Sequence, residues 1–198
     1  MLKDPFHWFP DPIFSTIFAV FVFGTYIIDY AIPKMLAARQ TGKPSIIHDR
    51  SSFLIIQAAG IVSIAAALYC RYMNRMITPA AIQYFGLLLI PMELGLRGWS
   101  IIKLGRFFSR TVELEAGHRL ITDGPYRRFR HPAYTGMILI DLGIALALGS
   151  WLGTLITLVL ILGATIYRIV VEEKMLIAAF GGEYVGYMKR TWRLFPGW

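Results

Sequence analysis

The stretch GPYRRFRHPAYTG, residues 124–136, gathers Arg127, Arg128, Arg130 and His131 immediately before a long apolar run. Gly124-Pro125 signals a turn. Pro132 suits the first turn of a helix, where its missing N–H costs little, and this puts His131 at or near the N-cap. A helix N-terminus that also carries Arg130 and His131 attracts an anion, and a carboxylate or phosphate is the natural guest. Tyr134 and Gly136 follow just inside the apolar run. Arg127 and Arg128 are adequately explained as contacts to anionic headgroups. Arg130 adjoins the helix start, and topology alone does not explain it.

A second group of candidates lies downstream. Arg168 and Glu172 are four apart at the end of another apolar run, followed at once by Glu173. They read either as charges snorkelling at a membrane edge or as groups for a polar ligand. Glu93 and Arg97 have the same spacing with the acid first, the favourable order for a helical ion pair, and the reading is structural. Asp29 falls near the end of an apolar run and Asp141 in the middle of one, where a charge is expensive. Tyr184 and Tyr187 share a face if the C-terminal segment is helical, and that segment could fold back over the site. No G-x-G-x-x-G loop, P-loop or H-E-x-x-H pair is present, which argues against a soluble nucleotide fold and a zinc hydrolase site.

The elements that must position these groups are membrane helices. The chain has 198 residues, 56% of them hydrophobic and only 16% charged, with mean hydropathy +0.56. A soluble domain is about a quarter charged. The apolar residues fall in five blocks near the length of a spanning helix: roughly 13–32, ending before Pro33, then 53–72, 79–102, 133–149 and 151–171. The fold class expected is all-α, a polytopic membrane protein of five transmembrane helices. The last two are separated only by Gly149, Ser150 and Trp151, so they form a tight helical hairpin, with Gly143, Gly149, Gly153 and Gly163 letting its backbones approach.

The net charge of +8 follows the positive-inside pattern rather than marking a nucleic-acid protein. Fifteen lysines and arginines fall in segments 33–52, 103–132 and the tail, against Lys3, Arg71 and Arg75 on the other side. This places the N-terminus outside, and the C-terminus with the basic motif on the cytoplasmic face of the inner membrane. The single cysteine, Cys70, permits no internal disulfide. Phe6, Trp8 and Phe9 suit the membrane interface, and the N-terminus lacks the pattern of a removable signal peptide. No metal and no nucleic acid are expected.

GHRLITDGPYRRFRHPAYTG, then a helical hairpin, then R…EEKMLIAAFGGEYVGYMKR, together spanning 117–190, resembles the isoprenylcysteine carboxyl methyltransferase family. LGRFFSRTVE at 104–113 looks like its bacterial members. The resemblance implies one membrane domain, 1–198. Residues 1–102 would shape the substrate side and 103–198 form the methyltransferase core. It implies S-adenosylmethionine as cofactor, S-adenosylhomocysteine as product, and a lipophilic substrate arriving from the bilayer. Carried over, His118, Leu120, Ile121, Gly124, Tyr126, His131, Pro132, Tyr134, Glu172, Tyr184 and Tyr187 are cofactor-pocket candidates. Arg130 and Arg168 match arginines near the reacting carboxylate, and Glu172 joins them as a catalytic candidate, favoured over Glu173 by its spacing from Arg168. A carboxylate acceptor is already ionised and needs no general base. A phenol or amine lipid as acceptor would ask His131 or Glu172 to take a proton. A related NADPH-dependent membrane reductase is the alternative enzyme class, and a non-catalytic membrane scaffold the alternative outside enzymes.

Overall fold

The computed structural model describes residues 9–37, 48–74, 76–109, 112–113 and 119–198. Asp11 starts the first helix, α1 (Pro12–Tyr26), by accepting from the Phe14 N–H at 2.8 Å, with Pro12 in the first turn. Its carboxyl also takes the Tyr84 hydroxyl from a neighbouring helix. Phe9 packs on Phe14 and Phe18, while Phe6 and Trp8 lie outside the described residues. The chain does not stop before Pro33. It widens into a π-helical turn, Ile27–Ala31, and continues as α2 (Ile32–Ala37). Proline removes the bond its N–H would have made one turn back, and a π turn at that point absorbs the defect. Asp29 lies in this turn, its side chain outside the described set.

Asp49 opens α3 (Ser51–Tyr72), accepting from the backbone and hydroxyl of Ser51 at 3.0 and 2.6 Å. The Ser51 hydroxyl, then Ser52, holds the Asp49 carboxyl below the usual carboxylate range. His48–Asp49 (β1) pairs antiparallel with Val112–Glu113 (β2). Helix α4 (Ala80–Leu104) begins after Pro79 and carries Pro91 inside it. Helix α5 (Pro132–Leu148) has His131 as N-cap and Gly149, with φ +84°, as its left-handed stop. Ser150 caps α6 (Trp151–Phe180) by accepting from Gly153 N–H at 3.2 Å. After Gly181, a seven-residue α7 (Gly182–Met188) leads into the tail.

The bundle is that of a membrane protein. Helices α3, α4 and α6 are long and apolar enough to span, and α1 and α5 are shorter apolar helices. Outward residues such as Val20, Leu54, Ile61, Leu88 and Val159 are exposed, as a lipid-facing surface requires. Cys70 is buried. Helix α6 is longer than its apolar run suggests. Its 30 residues span about 45 Å, against a hydrocarbon core of about 30 Å. Arg168, Glu172 and Glu173 therefore sit on a continuous helix, not at its end.

The glycines pack differently from expectation. A Cβ on Gly86 would meet Leu146 Cβ at 2.6 Å and Gly143 carbonyl oxygen at 2.7 Å. Gly143 thus serves the contact of α5 with α4. Gly153 lies against Ala67 of α3, Gly149 against Gln83, and Gly163 faces open space. The short α5–α6 connection holds, but the close-packed pairs are α4 with α5 and α3 with α6. Two helices joined by a short turn still splay if each finds a better-fitting neighbour, because without a hydrophobic force in lipid, shape fit decides association. Gly86→Leu should lower the stability of the detergent-solubilised protein by about 3 kcal/mol. Gly163→Ala should be neutral or slightly stabilising. Thermal unfolding checks both, and equal shifts would sink the assignment.

Candidate functional site

The basic motif folds as expected at its two ends. Gly124–Arg127 is a short 3-10 turn whose Tyr126 is buried, while Arg127 and Arg128 are exposed. The tail returns beside it. Arg130 N–H donates to Trp192 carbonyl at 2.8 Å, His131 N–H to Arg193 carbonyl at 3.1 Å, and Trp192 N–H to Arg128 carbonyl at 2.9 Å. Thr135 Oγ1 donates to Leu194 carbonyl at 2.9 Å. Tyr187 Oη donates to Tyr126 carbonyl at 2.6 Å. Residues 184–194 thus form a strap across the N-terminal end of α5. Burial pushes the phenols of Tyr126, Tyr184 and Tyr187 up, so they remain neutral donors.

Beneath the strap lies a buried carboxylate, Glu173, which spacing from Arg168 ranks below Glu172. Glu173 Oε1 accepts from Arg130 Nε at 2.9 Å and lies 3.4 Å from His131 Nε2, and Oε2 accepts from Arg193 Nη2 at 2.8 Å. Arg130 directs Nη1 to the carbonyls of Met188 and Thr191, at 2.8 and 2.6 Å. Its guanidinium therefore ties α5, α6 and the strap together. No spacing rule links residues 130, 173 and 193, which meet only when three segments converge.

Glu172 points elsewhere. Tyr134 Oη donates to Glu172 Oε2 at 2.5 Å and accepts from Arg168 Nε at 2.8 Å, so the tyrosine bridges the two residues expected to pair. Arg168 is almost fully buried, and its Nη1 reaches Ser52 Oγ on α3 at 2.8 Å. His131 Nδ1 lies 4.0 Å from Glu172 Oε1. On α4, Glu93 and Arg97 form the expected ion pair at 3.8 Å, and Arg97 Nη1 donates to Ala133 carbonyl at 2.9 Å. This pair braces the first turn of α5.

Part of this network, on the side of Glu172 rather than Glu173, walls a cavity of about 320 Å³. Leu120, Ile121, Tyr126, His131, Tyr134, Glu172, Tyr184 and Tyr187, eight of the cofactor candidates, line it together with Arg130 and Arg168. Gly124 and Pro132 do not. Gly124, with φ +60°, makes the turn against the Lys103 side chain, and Pro132 is the buried first residue of α5. His118 lies outside the described residues. Arg97, Arg119, Gln57 and Asp141 also line the cavity, beyond the set read from sequence. Tyr184 Oη is buried, with no hydrogen-bond partner among the described residues.

Residues 82–183 match the family model described as phospholipid methyltransferase. The chain belongs to that family. The matched stretch runs from the first turn of α4 to the first residues of α7, which includes every charged group of the cavity on α4, α5 and α6 and stops just before the strap. Among relatives of this phospholipid methyltransferase family member is the fission yeast Schizosaccharomyces pombe protein-S-isoprenylcysteine O-methyltransferase, 34% identical over 48% of this chain and 42% of that protein. The Arabidopsis thaliana protein-S-isoprenylcysteine O-methyltransferase B is 33% identical over 56% of this chain and 57% of that protein. The matches thus span about half the length of these relatives. The resemblance read from residues 117–190 agrees with both. The solved structure of a eukaryotic intramembrane Ras methyltransferase, isoprenylcysteine carboxyl methyltransferase, shares the fold with TM-score 0.65 at 22% identity, over 96% of this chain and 70% of that one.

Glu173→Gln removes the charge that holds Arg130 and Arg193. The variant should lose about 3 kcal/mol of stability and open the tail to protease, whereas Glu183→Gln on the exposed face of α7 should do neither. Limited proteolysis with thermal unfolding checks this, and a protected tail in the Glu173 variant would contradict the hub.

Proposed function

We propose that the chain is a membrane methyltransferase that moves a methyl group from S-adenosylmethionine to the carboxylate of a lipophilic acceptor of isoprenylcysteine type. The observation that carries the reading is one continuous cavity. It is polar under the strap, at His131, Tyr134, Arg168 and Glu172, and apolar between the helices, at Ile56, Ile64, Ile140 and Ile144. Such a cavity accommodates a charged cofactor and a greasy acceptor side by side.

The residues present suit that cofactor. Tyr184 offers a buried hydroxyl with no partner among the described residues, Glu172 a carboxylate for an ammonium, and Arg119 a cation for a carboxylate. His131, Tyr126 and Tyr187 add flat, buried surfaces on the same wall. When bound, the sulfonium supplies an electrophilic methyl group.

The protein's own work is then positioning and exclusion of water. A carboxylate with a reference pKa near ~4 is ionised at neutral pH and needs no base. The Arg168 guanidinium, fixed from two sides by Tyr134 and Ser52, orients that carboxylate, and its planar fork suits the task better than lysine. Arg130, committed to Glu173, Met188 and Thr191, acts as a positioning residue that keeps the strap closed. Holding reactants in a fixed, water-poor geometry is a large part of what such a site contributes.

The bias of basic residues supports a strap and chamber on the cytoplasmic face of an inner membrane, with the N-terminus outside. Residues 103–198 supply the methyltransferase core, and 1–102 shape the acceptor side, with Ser52 reaching into the core.

Transfer of labelled methyl from S-adenosylmethionine into prenylcysteine analogues, fatty acids, phospholipid amines and phenols tests the reading. Label should appear in an acid. Transfer only to an amine or a phenol would overturn the carboxylate mechanism. Arg168→Lys should lower the rate about a hundredfold, while Arg127→Ala, on the exposed turn, should leave it unchanged. An unimpaired Arg168→Lys enzyme would remove Arg168 from the acceptor site.

A further inference from the structure

The strap has two faces of opposite character. Tyr184, Tyr187 and Leu194 are buried, and Arg193 turns inward to Glu173. Lys189, Arg190, Trp192, Phe195 and Trp198 are exposed. A turn at the end of the strap fixes this second face. Arg193 N–H donates to Trp198 carbonyl at 2.6 Å and Trp198 N–H to Phe195 carbonyl at 3.1 Å, and the Arg193 guanidinium lies 5.5 Å from the Trp198 ring. Trp192 is steadied by its ring contact with Phe129. No Asp or Glu occurs from Tyr184 to Trp198, and neither Lys189 nor Arg190 has an ion-pair partner among the described residues. An aromatic and cationic face without an acid is the composition of a segment lying in a membrane interface.

Helix length sets the depth of that face. The 17 residues of α5 span about 25 Å, less than a hydrocarbon core of about 30 Å. A spanning helix that short draws the bilayer surfaces toward its ends. The strap crosses the N-terminal end of α5, so it lies level with the headgroups rather than above them. Trp151, exposed just beyond the opposite end of α5, marks the other interface. We propose that the outer face of the strap docks on anionic lipid headgroups of the adjoining leaflet, and that this docking clamps the roof of the cavity shut. Lys189 and Arg190 meet the lipid phosphates, and the rings of Trp192, Phe195 and Trp198 lie at the headgroup level beside them. Roof and docking face are opposite sides of one short segment, so lipid bound to the closed strap stabilises the closed state. In a neutral bilayer the rings still insert, but the attraction of the two cations is lost.

Hydrogen exchange of the backbone amides of residues 188–198, on the full chain in lipid nanodiscs, tests the clamp. Exchange should slow about tenfold when phosphatidylglycerol is added to phosphatidylcholine discs, and high salt should remove the slowing. The double variant Lys189→Gln, Arg190→Gln should exchange alike in both lipids. Equal exchange of the parent in the two lipids, or the parent's slowing retained in the double variant, overturns the clamp. The salt series needs only the parent protein, so it decides even where the variant fails to fold, and slowing that persists in high salt also overturns the proposal. Polyglutamate added to phosphatidylcholine discs should leave exchange unchanged. Slowing there would assign the face to an acidic protein and overturn lipid docking. The readout contains neither cofactor nor acceptor, so its outcome is independent of the methyltransferase reading.

Discussion

A carboxylate buried at the edge of a membrane dictates much of this architecture. Glu173 is tolerable there only because Arg130 and Arg193 neutralise it and His131 lies against it. Those three groups come from the start of α5 and from the tail, so satisfying one charge draws three segments together. The consequence is geometric. With the tail pulled across α5, its backbone finds the carbonyls and N–H groups of residues 128–131, and main-chain polar groups of both segments are paired. The strap is therefore electrostatic at its anchor and main-chain in its length, and the cavity exists because the strap roofs it.

The same economy governs the bundle. Close approach of α4 and α5 at Gly86 and Gly143 brings Arg97 near enough to hold the Ala133 carbonyl. That bond supports the first turn of α5, the turn that presents His131 and Tyr134. Pairing α6 with α3 brings Ser52 to Arg168. The space left between the tight pairs is the cavity. Had α5 and α6 packed closely along their length, as a hairpin read from the sequence suggests, that space would be filled.

The spans were legible because an apolar run near twenty residues has few other uses, and His131 and Pro132 were legible because capping is local chemistry. The end of α6 was not. Charges at 168–174 ordinarily close a membrane helix, yet nothing from 151 to 180 breaks one, and the true stop is Gly181, with φ +53°. The choice between Glu172 and Glu173 was hidden for a related reason. Adjacent helical residues point about 100° apart, and the rotation that decides which meets the strap is set by packing with α3. Spacing correctly joined Arg168 and Glu172, but it had no means of inserting Tyr134 between them.

Two reagents of opposite character meet in the proposed reaction, and the cavity's polarity already separates them. A charged cofactor gains nothing from the hydrocarbon stretch between α3 and α5, and a lipid tail gains nothing among Arg168, Glu172 and His131. Each is therefore oriented by what the other's compartment refuses. A methyl transfer needs its two reacting atoms in line and little else, so a boundary between a polar and an apolar compartment is a sufficient alignment device. The boundary falls at Tyr134, whose ring packs on the cluster of Ile138, Ile161, Ile169 and Leu194 as well as on His131, while its hydroxyl joins Arg168 to Glu172. Replacing that hydroxyl with hydrogen would leave the ring in place and break the link. A side chain with one greasy end and one polar end marks the plane of the proposed transfer.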